Sequence, residues 1–266
     1  MDGEPRDETP DASRQPELSV VLPAYNEEAN IGDTLEQVTG FLEGRGLEYE
    51  LLVVDDGSRD RTGAVVTGIA KANPAIRLLR HTRNRGYGAA LRTGFAAARG
   101  RWVFFMDSDG QFDIRDLEGF LARRERADVL VGYRARRRDP PLRRLNAAGW
   151  NMLVRLLLGV PVRDVDCAFK LYRADVLRRL TITSSGATVN AEMLAQVRRL
   201  GYRLLELPVR HFPRTAGRAT GNDPRVILRA FRELARLALS LRRGAHDAKK
   251  APGAWAAGVK RPRGDR

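Results

Sequence analysis

A chain of 266 residues with 43% hydrophobic residues is long enough to bury a sizeable core, as one domain with short tails. Its 47 lysines and arginines exceed its 33 aspartates and glutamates, so a net charge of +14 attracts nucleotides, lipid phosphates, anionic membranes or nucleic acid. The single cysteine, Cys167, excludes a disulfide framework within the chain and a cysteine-based zinc site.

The two ends of the chain differ in composition from its middle. Residues 1–16 are acidic and contain proline, and residues 244–266 are rich in Lys, Arg, Gly and Ala, so both are predicted to be disordered tails. Residues 17–243 are predicted to form one domain. No stretch approaches the ~18 apolar residues of a membrane span, and residues 1–16 lack the apolar core of a signal peptide, which favours a cytoplasmic location.

Between the tails, short β-branched runs alternate with amphipathic segments. The predicted strands are Leu18–Leu22, Tyr49–Val54, Ile76–Arg80, Arg101–Met106, Asp128–Gly132 and Arg203–Val209. The predicted helices between the first four strands are Ile31–Leu42, Arg61–Ala72 and Gly88–Arg99. This alternation predicts right-handed crossovers and a mostly parallel sheet covered on both faces, a three-layer α/β/α sandwich.

Three of these strands end in polar residues. The three segments are Pro23-Ala24-Tyr25-Asn26-Glu27-Glu28, Asp55-Asp56-Gly57-Ser58 and Asp107-Ser108-Asp109-Gly110-Gln111. Any one of them is equally typical of a turn or a helix cap. Because the carboxyl ends of parallel strands meet at one edge of a sheet, the three segments together predict a ligand pocket at that edge.

The third segment has the composition of a metal site. Asp107 and Asp109 are separated by one residue at the end of an apolar run, and Gln111 adds a further oxygen. Hard oxygen donors suit Mg²⁺ or Mn²⁺, which can hold a diphosphate and stabilise it as a leaving group. Tyr25 could then stack on a nucleobase, while the carboxylates of Glu27, Asp55 and Asp56 accept hydrogen bonds from base and ribose. Together these residues describe a sugar-nucleotide pocket.

These three segments resemble the motifs of family 2 glycosyltransferases, which have the Rossmann-like GT-A fold. The similarity spans about Leu18 to Arg242 and is greatest to the dolichol- or polyprenol-phosphate mannosyltransferase branch. Two later segments, Val131–Arg134 and Asp164–Arg173, also look like that branch. A third, Glu206–Arg218, looks like the mobile loop that closes over the nucleotide sugar.

The resemblance implies a role for each matching residue. Base and ribose contacts are implied for Pro23, Tyr25, Glu27, Val54 and Asp56, with Asp55 beside them. The metal is implied at Asp107, Asp109 and Gln111, and the backbone of Ser108 lies beside the nucleotide. Phosphate contacts are implied for Arg134 and Arg214. Thr220 stands where some members of the branch carry a lysine, and Arg218 is the candidate to replace that charge.

The activity implied is inverting transfer of a hexose, mannose or glucose, from a donor such as GDP-mannose or UDP-glucose to polyprenyl or dolichyl phosphate at the cytosolic membrane face. The metal with Arg134 and Arg214 would neutralise the leaving group. A lipid phosphate is already an anion and attacks without a base. A saccharide or other hydroxyl acceptor needs one, for which Asp164 and Asp166 are the candidates, although pairing with a neighbouring arginine explains them equally well.

Two amphipathic segments and one basic stretch leave further alternatives open. Leu145–Val160 fits a helix on an anionic membrane or one that covers the sheet. The C-terminal helix predicted within Pro224–Arg243 fits a helix on such a membrane or one packed on the domain or on a second subunit. Both follow the arginine-rich stretch 134–144, which faces the acceptor in this family. A membrane partner protein and a homo-oligomer stay open, as does a non-catalytic binding protein. No recognisable nucleic-acid motif is present, and none of the chemistry requires nucleic acid.

Overall fold

The structure is a computed structural model that describes residues 15–135, 141–186, 188–214 and 231–239, with backbone alone for residues 141–146. Its strands are β1 Leu18–Ala24, β2 Tyr49–Asp55, β3 Ile76–Arg80, β4 Trp102–Met106, β5 Val129–Arg134, β6 Phe169–Arg173 and β7 Leu204–Val209. Its helices are α1 Ile31–Glu43, α2 Thr62–Ala70, α3 Tyr87–Ala97, α4 Leu117–Leu121, α5 Pro141–Leu158, α6 Ala174–Arg178, α7 Val189–Arg199 and α8, residues 231–239. The six predicted strands are all present.

The strands form one sheet in the order β3-β2-β1-β4-β6-β5-β7. Six strands run in one direction, and β6 is antiparallel to its neighbours β4 and β5. The predicted α/β sandwich with a mostly parallel sheet is therefore confirmed. The strand order reverses between β1 and β4, and ligands of open α/β sheets bind outside the carboxyl ends at such a point.

Strand β6 was not among the predicted strands. Four of its five residues are buried, but one of them is a lysine, Lys170, which interrupts the apolar run that marks a core strand. The antiparallel direction has a consequence for the site, because Met106 at the end of β4 pairs with Phe169 at the start of β6. The residues just before β6 thus reach the edge where β4 ends.

Helices cover the sheet through the faces that the sequence predicts. In α1 the residues Ile31, Leu35, Val38 and Leu42 are all fully buried, as their spacing of four, three and four requires. Helix α3 packs on β1 and β2, and Gly94 permits this approach, because an added Cβ would lie 2.3 Å from Cγ1 of Val21.

The two amphipathic segments pack on the domain. Helix α5 buries Val154 and Leu158, and α8 buries Leu234, Leu237 and Ala238. The rings of Trp150 and Phe231 join the two helices in an edge-to-face contact of 5.7 Å. Packing on the domain is thus confirmed for these residues, while the rest of Pro224–Arg243 lies outside the described residues, as does most of each predicted tail.

Pro16, one residue before the predicted start of the domain, is bonded to the sheet, since its carbonyl accepts a hydrogen bond of 3.1 Å from the backbone N–H of Arg101. Within the described ranges, no helix combines the length and the apolar character needed to cross a membrane.

Candidate functional site

The loops after β1 and β4 are joined at the point where the strand order reverses. Ser108 Oγ donates to the carbonyl of Pro23 at 2.8 Å, and Thr34 Oγ1 donates to the carbonyl of Ser108 at 3.2 Å. These hydrogen bonds involve a buried serine and fix the backbone between Asp107 and Asp109. The predicted meeting of the two motifs therefore has a structural basis in hydrogen bonds between them.

Asp107 and Asp109 form an acidic pair, in which Asp109 is buried and Asp107 is half-buried. Burial, and then the charge of Asp109, raises the pKa of Asp107 to about 7. Burial also raises the pKa of Asp109, while the backbone N–H of Gln111 and the charge of Arg214 oppose that rise. Oδ1 of Asp107 is buried without a hydrogen-bond partner among the described residues. A cation would stabilise such a pair.

Two arginines lie next to this acidic pair. The guanidinium of Arg134 donates to both oxygens of Asp164, from Nε at 2.6 Å and from Nη2 at 2.7 Å, and both side chains are nearly buried. Arg214 pairs through Nη2 with Glu27 and lies 3.6 Å through Nη1 from Oδ2 of Asp109. Glu27 also accepts a hydrogen bond of 2.7 Å from Asn30.

The residues present fit a divalent metal that shares its coordination with a ligand. Among the described residues, no three His, Cys, Asp or Glu side chains are grouped as a complete metal site. Mg²⁺ usually takes one or two carboxylates from the protein and its other ligands from water and substrate phosphates, so a pair suffices. Asp107, with its unpartnered oxygen and raised pKa, and Asp109 would hold the ion. Nε2 of Gln111 donates to the carbonyl of Phe212 at 2.9 Å, so this residue ties the β4 loop to the segment before Arg214.

Asp55 and Asp56, the predicted base and ribose contacts, are both buried and bonded within the protein. Asp55 accepts from the backbone of Ser58 and pairs with Arg80. Asp56 accepts from the backbone N–H groups of Arg85 at 2.9 Å and Gly86 at 2.7 Å, and contacts Nδ1 of His81 at 2.6 Å. Their nucleotide contacts stay a prediction. The structure gives them a role in shaping the turn and the glycine-containing segment before α3.

The remaining predicted residues are distributed around the same crevice. Tyr25 is 38% exposed at the end of β1, and Val54 is buried in β2. His81, which directly follows β3, is 7% exposed, and its Nε2 lies 2.8 Å from Oγ1 of Thr93. Arg218 lies outside the described residues.

Asp164 and Asp166 have different surroundings. Asp164 is the counter-ion of Arg134, which confirms the interpretation as an ion pair and identifies its partner. The pKa of Asp166 is raised, chiefly by burial, and its Oδ1 has no hydrogen-bond partner among the described residues. The two carboxylates are therefore not equivalent candidates for a base.

Sequence reasoning did not assign three further residues of this crevice. Tyr87, at the start of α3, lies beside Asp107 with its hydroxyl buried. Lys170 is fully buried, and its charge acts on both Asp107 and Asp166; burial lowers its pKa to about 8. Trp150 of α5 lies beside Asp166. A polar residue inside a core strand, as at Lys170, is the one signal that could have indicated its position.

Comparison with known proteins gives a family and several relatives. The model of glycosyl transferase family 2 matches residues 19–181. Dolichyl-phosphate beta-glucosyltransferase ALG5A of Trichomonas vaginalis is 34% identical over 209 residues, which cover 72% of this chain and 64% of that protein. Dodecaprenyl-phosphate galacturonate synthase of Rhizobium johnstonii is 34% identical over 183 residues, 67% of this chain and 54% of that protein. The chain thus spans less than two-thirds of the length of either relative.

A solved structure has the same fold. Glucosyl-3-phosphoglycerate synthase from Mycobacterium tuberculosis, in complex with Mn²⁺, UDP-glucose and phosphoglyceric acid, superposes with a TM-score of 0.63. The match has 26% sequence identity and covers 85% of this chain and 79% of that one.

Proposed function

The chain belongs to glycosyl transferase family 2, and on that premise we propose that it transfers a hexose from a nucleoside diphosphate sugar to a polyprenyl phosphate at the cytosolic face of a membrane. The observation that carries the proposal is the acidic pair Asp107 and Asp109, with a raised pKa at both carboxyls and the guanidinium groups of Arg134 and Arg214 close by. This arrangement suits a ligand that brings both a cation and a diphosphate.

The proposed reaction requires these residues to neutralise the charge of a diphosphate leaving group. An oxygen of the acceptor phosphate attacks the anomeric carbon, the bond from that carbon to the diphosphate breaks, and its electron pair leaves with the diphosphate. A divalent ion bound at Asp107 and Asp109 would supply positive charge to that leaving group. Arg214 would add a second positive charge from the loop side, and Arg134 a third from the end of β5, held in place by Asp164. A phosphate acceptor needs no base, which agrees with the pairing of Asp164.

The donor sugar is proposed from the relatives. One relative is named as a glucosyltransferase, and the solved structure contains UDP-glucose. UDP-glucose is therefore the first donor to test, before GDP-mannose. Inversion at the anomeric carbon is proposed because a single displacement by the phosphate requires it.

The lipid acceptor and membrane contact are supported by two surfaces. A groove of about 750 Å³ beside Gly110 is lined by the aromatic rings of Phe41, Phe112 and Phe212 and by two arginines, Arg45 and Arg115. Helices α5 and α8 leave Met152, Leu156, Phe231 and Leu239 exposed, with Arg155 beside them. Exposed apolar groups next to cations are typical of a surface that lies on an anionic membrane.

A second candidate is transfer to a hydroxyl group of a soluble acceptor, because the solved structure is a synthase crystallised with phosphoglyceric acid. Asp166, with its raised pKa and unpartnered oxygen, would then be the base.

Transfer of labelled sugar from UDP-glucose and from GDP-mannose tests both candidates. Each donor is offered a polyprenyl phosphate in detergent or 3-phosphoglycerate, with Mn²⁺, Mg²⁺ or EDTA. We expect label in the lipid fraction, dependent on metal, and a loss of at least about 100-fold in Asp109→Asn. The matched control is Glu125→Gln, an exposed carboxylate before the start of β5 at the other edge of the sheet. Label only in 3-phosphoglycerate would favour the second candidate, and full activity of Asp109→Asn would refute the metal assignment.

A further inference from the structure

Two buried polar atoms beside the acidic pair have no role in the proposed reaction. They are Oδ1 of Asp166 and Nε1 of Trp150, and neither makes a hydrogen bond of good geometry with the described residues. The indole N–H is nevertheless close enough to the Asp166 carboxyl to act on it as a hydrogen-bond donor, which lowers the pKa of Asp166 against the larger effect of burial. A buried acceptor and a buried donor that remain without partners are rare in proteins, because each such group costs free energy.

The turn that carries Asp166 is held rigidly. Nζ of Lys170 donates to the carbonyl of Val165 at 3.1 Å and to that of Cys167, and to Oδ1 of Asn190 at 2.8 Å. The backbone N–H of Val165 donates to Oδ1 of Asn151 at 2.9 Å, which fixes the turn to α5 next to Trp150. All three donors of Lys170 are used for this purpose. The two unpartnered atoms are thus fixed in position before any ligand arrives.

The turn also lies close to the acidic pair. It precedes β6, whose first residue, Phe169, pairs with Met106 beside Asp107. Lys170 is a shared neighbour, since its charge acts on both Asp107 and Asp166. On the proposed function, we place the hexose of the donor next to this turn, since Arg214 already contacts Asp109 and Glu27 from the loop after β7.

The chemistry of the two atoms selects one kind of ligand. A carboxylate oxygen repels a phosphate, and an indole N–H cannot coordinate a cation. A hydroxyl satisfies both, because it donates to the carboxylate and accepts from the indole. We propose that Asp166 and Trp150 recognise one hydroxyl group of the donor hexose and so determine which sugar is transferred; this inference rests on the proposed function.

Donors that lack single hydroxyl groups test the inference. The kcat/KM for transfer to a polyprenyl phosphate is measured with UDP-glucose and with its 2-, 3-, 4- and 6-deoxy analogues. For the wild type we expect one analogue to lose about 10- to 100-fold, the effect of one hydrogen bond to a charged group. Asp166→Asn and Trp150→Phe should lose activity with UDP-glucose but lose no more with that same analogue. The Glu125→Gln variant should behave as the wild type with every donor.

Binding of UDP with Mn²⁺, measured by titration calorimetry, separates the possible failures. Asp166→Asn and Trp150→Phe should bind UDP as the wild type does, which also shows that they are folded. If both variants lose the same factor with every donor, Asp166 acts as a base or a structural group and the inference is overturned. A wild type that treats all deoxy analogues alike overturns it too. If the wild type binds neither UDP nor GDP with metal, the proposed function fails, and the inference fails with it.

Discussion

Replacing Asp164 by asparagine removes the counter-charge of Arg134 and keeps the volume of the side chain. The pair has hydrogen bonds of 2.6 and 2.7 Å, and the side chains of Arg134 and Asp164 are 11% and 6% exposed. Removing one partner of a buried pair costs about 3–5 kcal/mol. We expect a loss of about 3 kcal/mol, because the asparagine oxygen still accepts one of the hydrogen bonds. A loss of this size lowers Tm by roughly 6–12 °C in a domain of this length.

Thermal unfolding of four proteins checks this value: the wild type, Asp164→Asn, Arg134→Met and the double variant. The double variant leaves no uncompensated charge. Its loss of unfolding free energy should therefore be smaller than the sum of the two single losses by about 1–3 kcal/mol. Arg173→Met is the matched control, because that arginine pairs with Asp128 and Asp175 but is 41% exposed. Its loss should stay below about 1 kcal/mol. Additive losses, or a single variant as stable as the wild type, would refute the reasoning.

Other predictions concern the acidic pair, a helix contact and the exposed apolar surface. The folded protein keeps the proton of Asp107 up to a pKa of about 7, whereas the ordinary value is 3.8, so this group destabilises the metal-free fold increasingly as the pH rises between those values. The Tm of Asp107→Asn should therefore exceed that of the wild type only slightly near pH 4 and most above pH 7. A Tm difference that does not change with pH would contradict this prediction. Gly94→Ala should cost about 1–3 kcal/mol by overpacking against β1, whereas Gly40→Ala, in an exposed turn of α1 with open space around it, should stabilise by up to about 1 kcal/mol in chemical denaturation. Leu156→Glu should weaken sedimentation with anionic vesicles at low salt, and the exposed Leu200→Glu, at the end of α7, should weaken it less; equal effects would argue against α5 as the membrane contact.

The sequence predicted the sheet well because its signals were local. The runs of β1, β2 and β4 are apolar and end in polar residues, and the spacing in α1 is that of a helix with one buried face. Parallel strands place their carboxyl ends together, so the meeting of Pro23 and Ser108 followed from the fold class alone.

The rest of the site depends on contacts between distant residues. Strand β6 was missed because Lys170 breaks its apolar pattern, and the reason for a lysine there lies in two carbonyl groups and Asn190. Likewise, Asp56 looks like a ligand-binding residue in the sequence, but its hydrogen bonds go to backbone groups about 30 positions later. The hydrophobic periodicity of a sequence does not indicate such pairings between distant residues. Trp150 was assigned to an amphipathic face, since its neighbour Asp166 comes from another part of the chain.

The pairing of Arg214 with Glu27 and Asp109 makes this arginine an internal substitute for a cation. A diphosphate that accepts hydrogen bonds from this guanidinium competes with the two carboxylates for its charge. On the proposed function, donor binding and the release of Arg214 from the carboxylates therefore form one exchange. Such linkage is reciprocal. Any partner that favours the released position of the segment, such as a lipid acceptor or a membrane surface, must raise the affinity for the donor by the same factor. The enzyme would then bind its donor most tightly where its acceptor is present.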